Sequence, residues 1–116
     1  MIIGGGPAGN TAATHAARLG AEVTLIERDV IGGAAHLWDC IPSKTMIATG
    51  GAIAFTRRLA GMGLEQQAPE VDIEALTERI ESIKMRLQRG TTELLSSQGV
   101  QLVHGTARML SPHEVE

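Results

Sequence analysis

Gly4-Gly5-Gly6-Pro7-Ala8-Gly9 follows the apolar start Met1-Ile2-Ile3 and leads into the alanine-rich run from Thr11 to Leu19. Gly4, Gly6 and Gly9 stand at GxGxxG spacing between an expected strand and an expected helix, the setting in which such a turn cradles a dinucleotide pyrophosphate. One glycine makes the tight turn, one lets the backbone approach the phosphates, and one lets helix and strand pack closely. The helix N-terminus adds unpaired N–H groups with partial positive charge. Pro7 is tolerated in the first turn, where its missing N–H has no helical partner to lose.

Outward from this turn the pattern continues as a nucleotide-binding unit requires. Gly20 closes the helix, Val23 to Ile26 read as a β-branched strand, and Glu27 ends that strand near the spacing of about 20 residues at which an acid accepts from ribose hydroxyls. A carboxylate there favours a free ribose diol over a 2′-phosphate. Ile41 through Leu59 is compatible with a helix despite Gly50 and Gly51, and Gly61-Met62-Gly63 ends it. Asp72 is placed to cap another helix, in which Ile73, Leu76, Ile80, Ile83, Leu87 and Leu94 recur at steps of three and four, a stripe read as packing. Gly99 then punctuates, and Val100 to Val103 read as a third strand running into His104-Gly105-Thr106-Ala107.

The second informative stretch is Gly32-Gly33-Ala34-Ala35-His36-Leu37-Trp38-Asp39-Cys40-Ile41-Pro42-Ser43-Lys44. With the glycine-rich turn it resembles the N-terminal FAD-binding part of the pyridine nucleotide-disulfide oxidoreductases, the flavoprotein family of dihydrolipoyl dehydrogenase, glutathione reductase and mercuric reductase. That family's pattern is close to GGTCxNxGCIPSK. The resemblance covers nearly the whole chain and implies an α/β fold: a partial Rossmann-like FAD/NAD(P)-binding domain, a parallel sheet with flanking helices, spanning residues 1–116. The cofactor it implies is FAD, with NAD(P)H as co-substrate.

The alignment exposes two departures. In the family two cysteines of this segment form a redox disulfide beside the flavin; the second aligns with Cys40, but the first falls on Ala35. One sulfur cannot make that disulfide. By resemblance Cys40 is the flavin-side member, able to form a charge-transfer thiolate, and the missing member is the one that exchanges with the disulfide substrate. Ala34 stands where the family usually has threonine near the pyrophosphate, a loss on the order of 1 kcal/mol if one net hydrogen bond goes. The Gly-Gly-Ala-Ala variant resembles quinone-reductase-like members of the family, so the expected activity is electron transfer from NAD(P)H through FAD to a quinone-type small-molecule acceptor. The alternatives are a dihydrolipoyl dehydrogenase-like disulfide reductase that recruits another thiol, and a non-catalytic nucleotide-binding module.

On residue chemistry alone, Cys40 is either a small apolar residue or a functional thiol, and its place in Cys-Ile-Pro-Ser-Lys favours the second reading. If Pro42 marks a helix start, the helix dipole favours a thiolate at Cys40, while the adjacent Asp39 carboxylate opposes it. Lys44 reads alone as a solvated charge; the resemblance places it at the flavin edge, paired with a glutamate farther along the family's chain, where a cation stabilises reduced, anionic flavin. The catalytic candidates are therefore Cys40 and Lys44. The cofactor-binding candidates are Gly4, Gly6, Pro7, Ala8, Gly9, Glu27, Arg28, Gly32, Gly33, Ala34, Lys44, Gly105 and Ala107, the last two bordering the adenine through backbone groups. His36 and Trp38 are read as structural, although either could line an acceptor route, and His104 as a bystander at a strand end.

Composition narrows the field further. A net charge of -3 leaves no basic face for nucleic acid, and two aromatic residues make no base-stacking platform. No apolar run is long enough for a membrane span, and no His/Cys cluster points to a metal. A single cysteine excludes an intrachain disulfide framework, and with a strand at the very start a cytoplasmic site is the default expectation. The resemblance also implies a homodimer, a nicotinamide-binding domain and an interface domain beyond these residues. Ser111 to Glu116 is expected to be the opening of a hairpin broken off mid-element, and the isolated chain to be weakly stable and to retain little FAD.

Overall fold

A computed structural model describes residues 1–64 and 69–116. Strand β1 (Ile2–Ile3), helix α1 (Pro7–Arg18) and strand β2 (Thr24–Glu27) follow in order. A π-helical turn (Ala35–Cys40) then runs into helix α2 (Ile41–Leu59), which ends in a 3-10 turn (Ala60–Met62). Helix α3 (Ile73–Ser97) returns the chain to strand β3 (Gln101–His104), and a small hairpin, β4 (Met109–Ser111) with β5 (Glu114–Val115), completes the order. The sheet is parallel in the order β1-β2-β3, in the register Ile2↔Leu25, Ile3↔Ile26, Leu25↔Leu102 and Ile26↔Val103. This is the expected parallel α/β arrangement.

The local reasons for these elements are visible in their ends. Pro7 sits in the first turn of α1, and Gly20 takes φ +85 just past its end, a left-handed position that glycine adopts without the Cβ penalty. Asp72 caps α3 as expected, its Oδ1 accepting from the Ala75 N–H at 2.9 Å. The core lies where α1 and the C-terminal end of α3 cover the sheet: Ala13, Val23, Leu25, Leu95 and Val100 are buried there, with Ile2, Ala16, Ala17, Ile31 and Leu102 packed against them. Ala13 matters by being small, since it lets α1 lie close on the central strand.

The apolar stripe of α3 divides between two partners. Leu76, Ile80 and Ile83 are half-buried, but Ile73, Leu87 and Leu94 are 65%, 38% and 51% exposed, while Leu95 is 1% exposed. The sequence stripe is therefore corrected at both ends and holds as packing only in its middle turns. A straight helix drifts by about 20° per heptad against a strict seven-residue repeat, and α3 extends for 25 residues. Its first turns lie along α2, whereas its last turns face α1 and the sheet, so the inward position shifts by one residue.

At the end of the chain the expected turn and strand are present, and the strand has a partner the sequence did not show. Glu114–Val115 pairs back on Met109–Ser111 as an antiparallel hairpin, in the register Met109↔Val115 and Ser111↔Glu114. Arg108 and Glu116 exchange backbone hydrogen bonds at 2.8 and 2.9 Å, and their side chains form an ion pair at 2.7 Å. Met109–Ser111 carries no period-two pattern long enough to read as a strand. The Pro112-His113 turn brings it a partner.

Candidate functional site: a glycine cradle and an adenosine-side cleft

The turn after β1 is shaped by close approach. Gly4 takes φ +98, and its N–H donates to the Ile26 carbonyl at 2.8 Å. A Cβ on Gly9 would land on the Gly4 carbonyl oxygen, so only glycine lets α1 start this near the strand. The second glycine pair, Gly32-Gly33, lies against the first. The Gly32 N–H donates to the Gly5 carbonyl at 2.8 Å, and a Cβ on Gly33 would sit 2.7 Å from the Gly6 Cα. Two segments far apart in sequence thus form one cradle. Gly6 caps α1 without a side-chain partner and no acid stands in the first turn, which leaves the helix N-terminus open to an anion.

Glu27 is held in place before any ligand arrives. Its Oε2 accepts from the Gly5 N–H at 2.6 Å and its Oε1 from the Asp29 N–H at 2.8 Å. Partial burial alone raises the pKa of this carboxyl, but the backbone donors of Gly5, Asp29 and Arg28, together with the Arg28 charge, outweigh it. The carboxyl is held below the ordinary glutamate range. Each carboxylate oxygen keeps a further lone pair, and the group remains a pure acceptor, as a ribose diol requires.

A cleft of about 330 Å³ opens beside this carboxylate, lined by Ile3, Gly4, Glu27, Arg28, Gly105, Thr106 and Ala107. Five of these were singled out in the sequence; Ile3 and Thr106 were not, because an edge-strand isoleucine and a loop threonine carry no chemical signature. The Gly105 N–H donates to the Glu27 carbonyl at 2.9 Å, which ties the end of β3 to the end of β2. Gly5 was also missed. It lies inside the motif at a variable position, yet a Cβ there would be 2.9 Å from Ile31 Cδ1 and 3.1 Å from Glu27 Cβ.

Cys40 and Lys44 lie outside that cleft. Cys40 is a free, half-buried thiol at the end of the π-helical turn, and its carbonyl accepts from Ser43 Oγ at 3.2 Å. The helix-start argument for Cys40 is corrected. Ile41 is already helical (φ -71, ψ -49) and its N–H donates to the His36 carbonyl, so one helical path runs through Cys40 and no open N-terminus faces it. Lys44 is exposed and lines a groove of about 450 Å³ between α2 and α3, with Ile41, Thr45, Ala48 and Arg79 among its neighbours. Among the described residues, Lys44 makes no ion pair, and no helix is long and apolar enough to cross a membrane.

The parallel sheet, the doubled glycine cradle and the acidic side chain fixed at the end of β2 have the architecture of the doubly wound α/β class. The chain belongs to the pyridine nucleotide-disulphide oxidoreductase family, whose model matches residues 1–116. It is 40% identical over 110 residues to dihydrolipoyl dehydrogenase 2 of Haloarcula marismortui, covering 95% of this chain and 23% of the relative. It is 37% identical over 118 residues to the dihydrolipoyl dehydrogenase of Pseudomonas aeruginosa, covering 99% of this chain and 25% of that protein. Among solved structures it superposes on LpdA from Mycobacterium tuberculosis with a TM-score of 0.85 and 36% identity, over 96% of this chain and 24% of that one. The chain therefore spans about a quarter of the length of these relatives.

The residues present fit the ADP half of FAD. A Cβ on Gly4 would meet open space and one on Gly6 only the Gly33 Cα at 4.0 Å, the α1 N-terminus is open to the pyrophosphate, and Glu27 offers acceptors at the ribose end.

A prediction follows from the hydrogen bonds of Glu27. Because its carboxyl is held below the ordinary range, the stabilisation it provides is complete above the ordinary glutamate pKa and is lost as pH falls through the lowered value. Thermal melts of the full-length protein between about pH 7 and pH 3 are expected to show an acid limb that Glu27→Gln flattens. The amide turns an N–H₂ toward one of the two backbone donors, so the variant also loses stability at neutral pH. An unchanged acid limb in Glu27→Gln would show that other carboxylates set it.

Proposed function

We propose that residues 1–116 form the N-terminal part of the FAD-binding domain of a dihydrolipoyl dehydrogenase-like flavoprotein that oxidises NAD(P)H. The observation that carries this reading is the single cleft joining Gly4, Glu27, Arg28, Gly105 and Ala107 beside the glycine cradle. The naming of the relatives as dihydrolipoyl dehydrogenases supports a disulfide acceptor. Bound FAD supplies two-electron transfer between a nicotinamide and that acceptor.

The chain's own residues have separable tasks. The N–H groups at the start of α1 hold the pyrophosphate, Glu27 accepts from the ribose hydroxyls, and the backbone at Gly105 and Ala107 walls the adenine side. Lys44 supplies a cation at the flavin end, and Cys40 supplies the sulfur. The working unit of the full-length protein is a homodimer with a small-molecule acceptor.

Ala35 favours a second reading of the acceptor. With one sulfur in the turn, a disulfide substrate requires another thiol from elsewhere, whereas a quinone requires none. Anaerobic titration of the full-length protein with NADH or NADPH, followed by lipoamide or menadione, separates the two. The proposal expects a flavin that is bleached by the nicotinamide and recovers with lipoamide, slowly, because the exchanging thiol comes from outside the turn. Recovery with menadione alone would establish the quinone route, and a protein with no bound flavin would overturn both.

A further inference from the structure

Lys84 is the one charged residue that the described part of the fold buries, at 6% exposure, within the stripe that α3 turns toward its neighbours. Its ammonium lies 3.6 Å from the centroid of the Trp38 ring and 2.7 Å from Glu81 Oε1. Burying an ammonium is costly without partners, and an aliphatic side chain would fill the same position beside Ile80 and Ile83 more cheaply. The charge at this position has two partners, the Glu81 carboxylate and the aromatic face of Trp38, and only the second lies on another element.

Trp38 belongs to the π-helical turn that ends at Cys40. On the sheet side this turn is anchored by Leu37, which is buried against Gly32 and whose N–H donates to the Gly33 carbonyl at 3.1 Å. On the α3 side the anchor is the Trp38–Lys84 contact. Trp38 itself is 54% exposed, so the ring is not held by burial in a core. A π-helical turn is a rare conformation that needs its surroundings to maintain it. Here there is no covalent staple, since Ala35 supplies no sulfur to pair with Cys40.

We propose that Lys84 is a positioning residue: through Trp38 it clamps the turn that carries Cys40 against α3, replacing with a cation–π contact the restraint that a disulfide across this turn would provide. The use of the held turn rests on the function proposed above; the clamp itself does not. Glu81 orients the ammonium from one helical turn earlier.

The test uses the full-length protein with Lys84→Met, which keeps length without charge, and Lys84→Arg, which keeps the cation over the ring. Alkylation of Cys40 by iodoacetamide is followed by mass spectrometry on its own peptide, beside Trp38 emission taken as the difference from Trp38→Phe. Lys84→Met is expected to speed alkylation about fivefold or more and to shift the emission, and Lys84→Arg to restore both to within about twofold of the parent. A folded Lys84→Met protein with unchanged alkylation and emission overturns the clamp, as does a folded Lys84→Arg protein that rescues neither. Should Lys84→Met not fold, Trp38→Leu removes the same contact at a half-exposed site, and unchanged alkylation there also overturns it. Neither readout requires bound flavin, so an empty protein would defeat the proposed function and still decide the clamp.

Discussion

Gly9→Ala is expected to strip the full-length protein of its flavin. The added methyl would occupy the position of the Gly4 carbonyl oxygen, which is rigid backbone rather than the end of a flexible side chain. Either α1 moves off the strand or the Gly4 turn opens, and both displace the N–H groups that would face the pyrophosphate. Overpacking of this kind costs about 1–3 kcal/mol, so FAD affinity is expected to fall about fivefold to 150-fold. The flavin-to-protein absorbance ratio after dialysis reads it. Gly51→Ala is the control: it lies within α2 with open space around the new Cβ, and in a helix interior alanine is favoured over glycine by about 1 kcal/mol. If Gly9→Ala keeps stoichiometric FAD, the cradle is not where the cofactor sits.

Ala35→Cys carries the other large effect. The new sulfur completes the pair of the family pattern within the turn that ends at Cys40, and an intramolecular partner acts at an effective concentration that an external thiol cannot match. The reduced pair would pass two electrons and two protons to lipoamide, breaking its S–S bond and closing one in the protein. Lipoamide-dependent NAD(P)H oxidation is expected to rise at least about a hundredfold, with two titratable thiols lost on oxidation. A parent protein that already turns over lipoamide as fast as the variant would mean that another thiol replaces Ala35. A folded, flavin-loaded variant as slow as a slow parent would mean that the turn holds the two sulfurs apart, and the paired-sulfur route would fail.

Much of the glycine cradle and the cleft beside Glu27 was legible in the sequence because its constraints are local. A glycine is demanded wherever the backbone must turn left-handed or come within contact distance, so Gly4 and Gly9 announce themselves by type and spacing. Glu27 does the same at the strand end. The redox end was less legible. Pro42 reads as a helix start, yet the turn before it is already helical, and that continuity depends on Leu37 and Trp38 finding partners elsewhere in the fold.

By itself the sequence determined the α/β class, the glycine turn between strand and helix, the acid at the strand end and the single cysteine of the Cys40 turn, all properties of residue type at short range. Tertiary structure alone decided that Gly32-Gly33 closes against Gly5 and Gly6, that α3 buries Leu95 rather than Leu94, and that Lys84 lies under Trp38. Those outcomes depend on which faces meet when distant elements pack, and the drift of a long helix or the reach of a lysine across a groove leaves no mark in a local pattern.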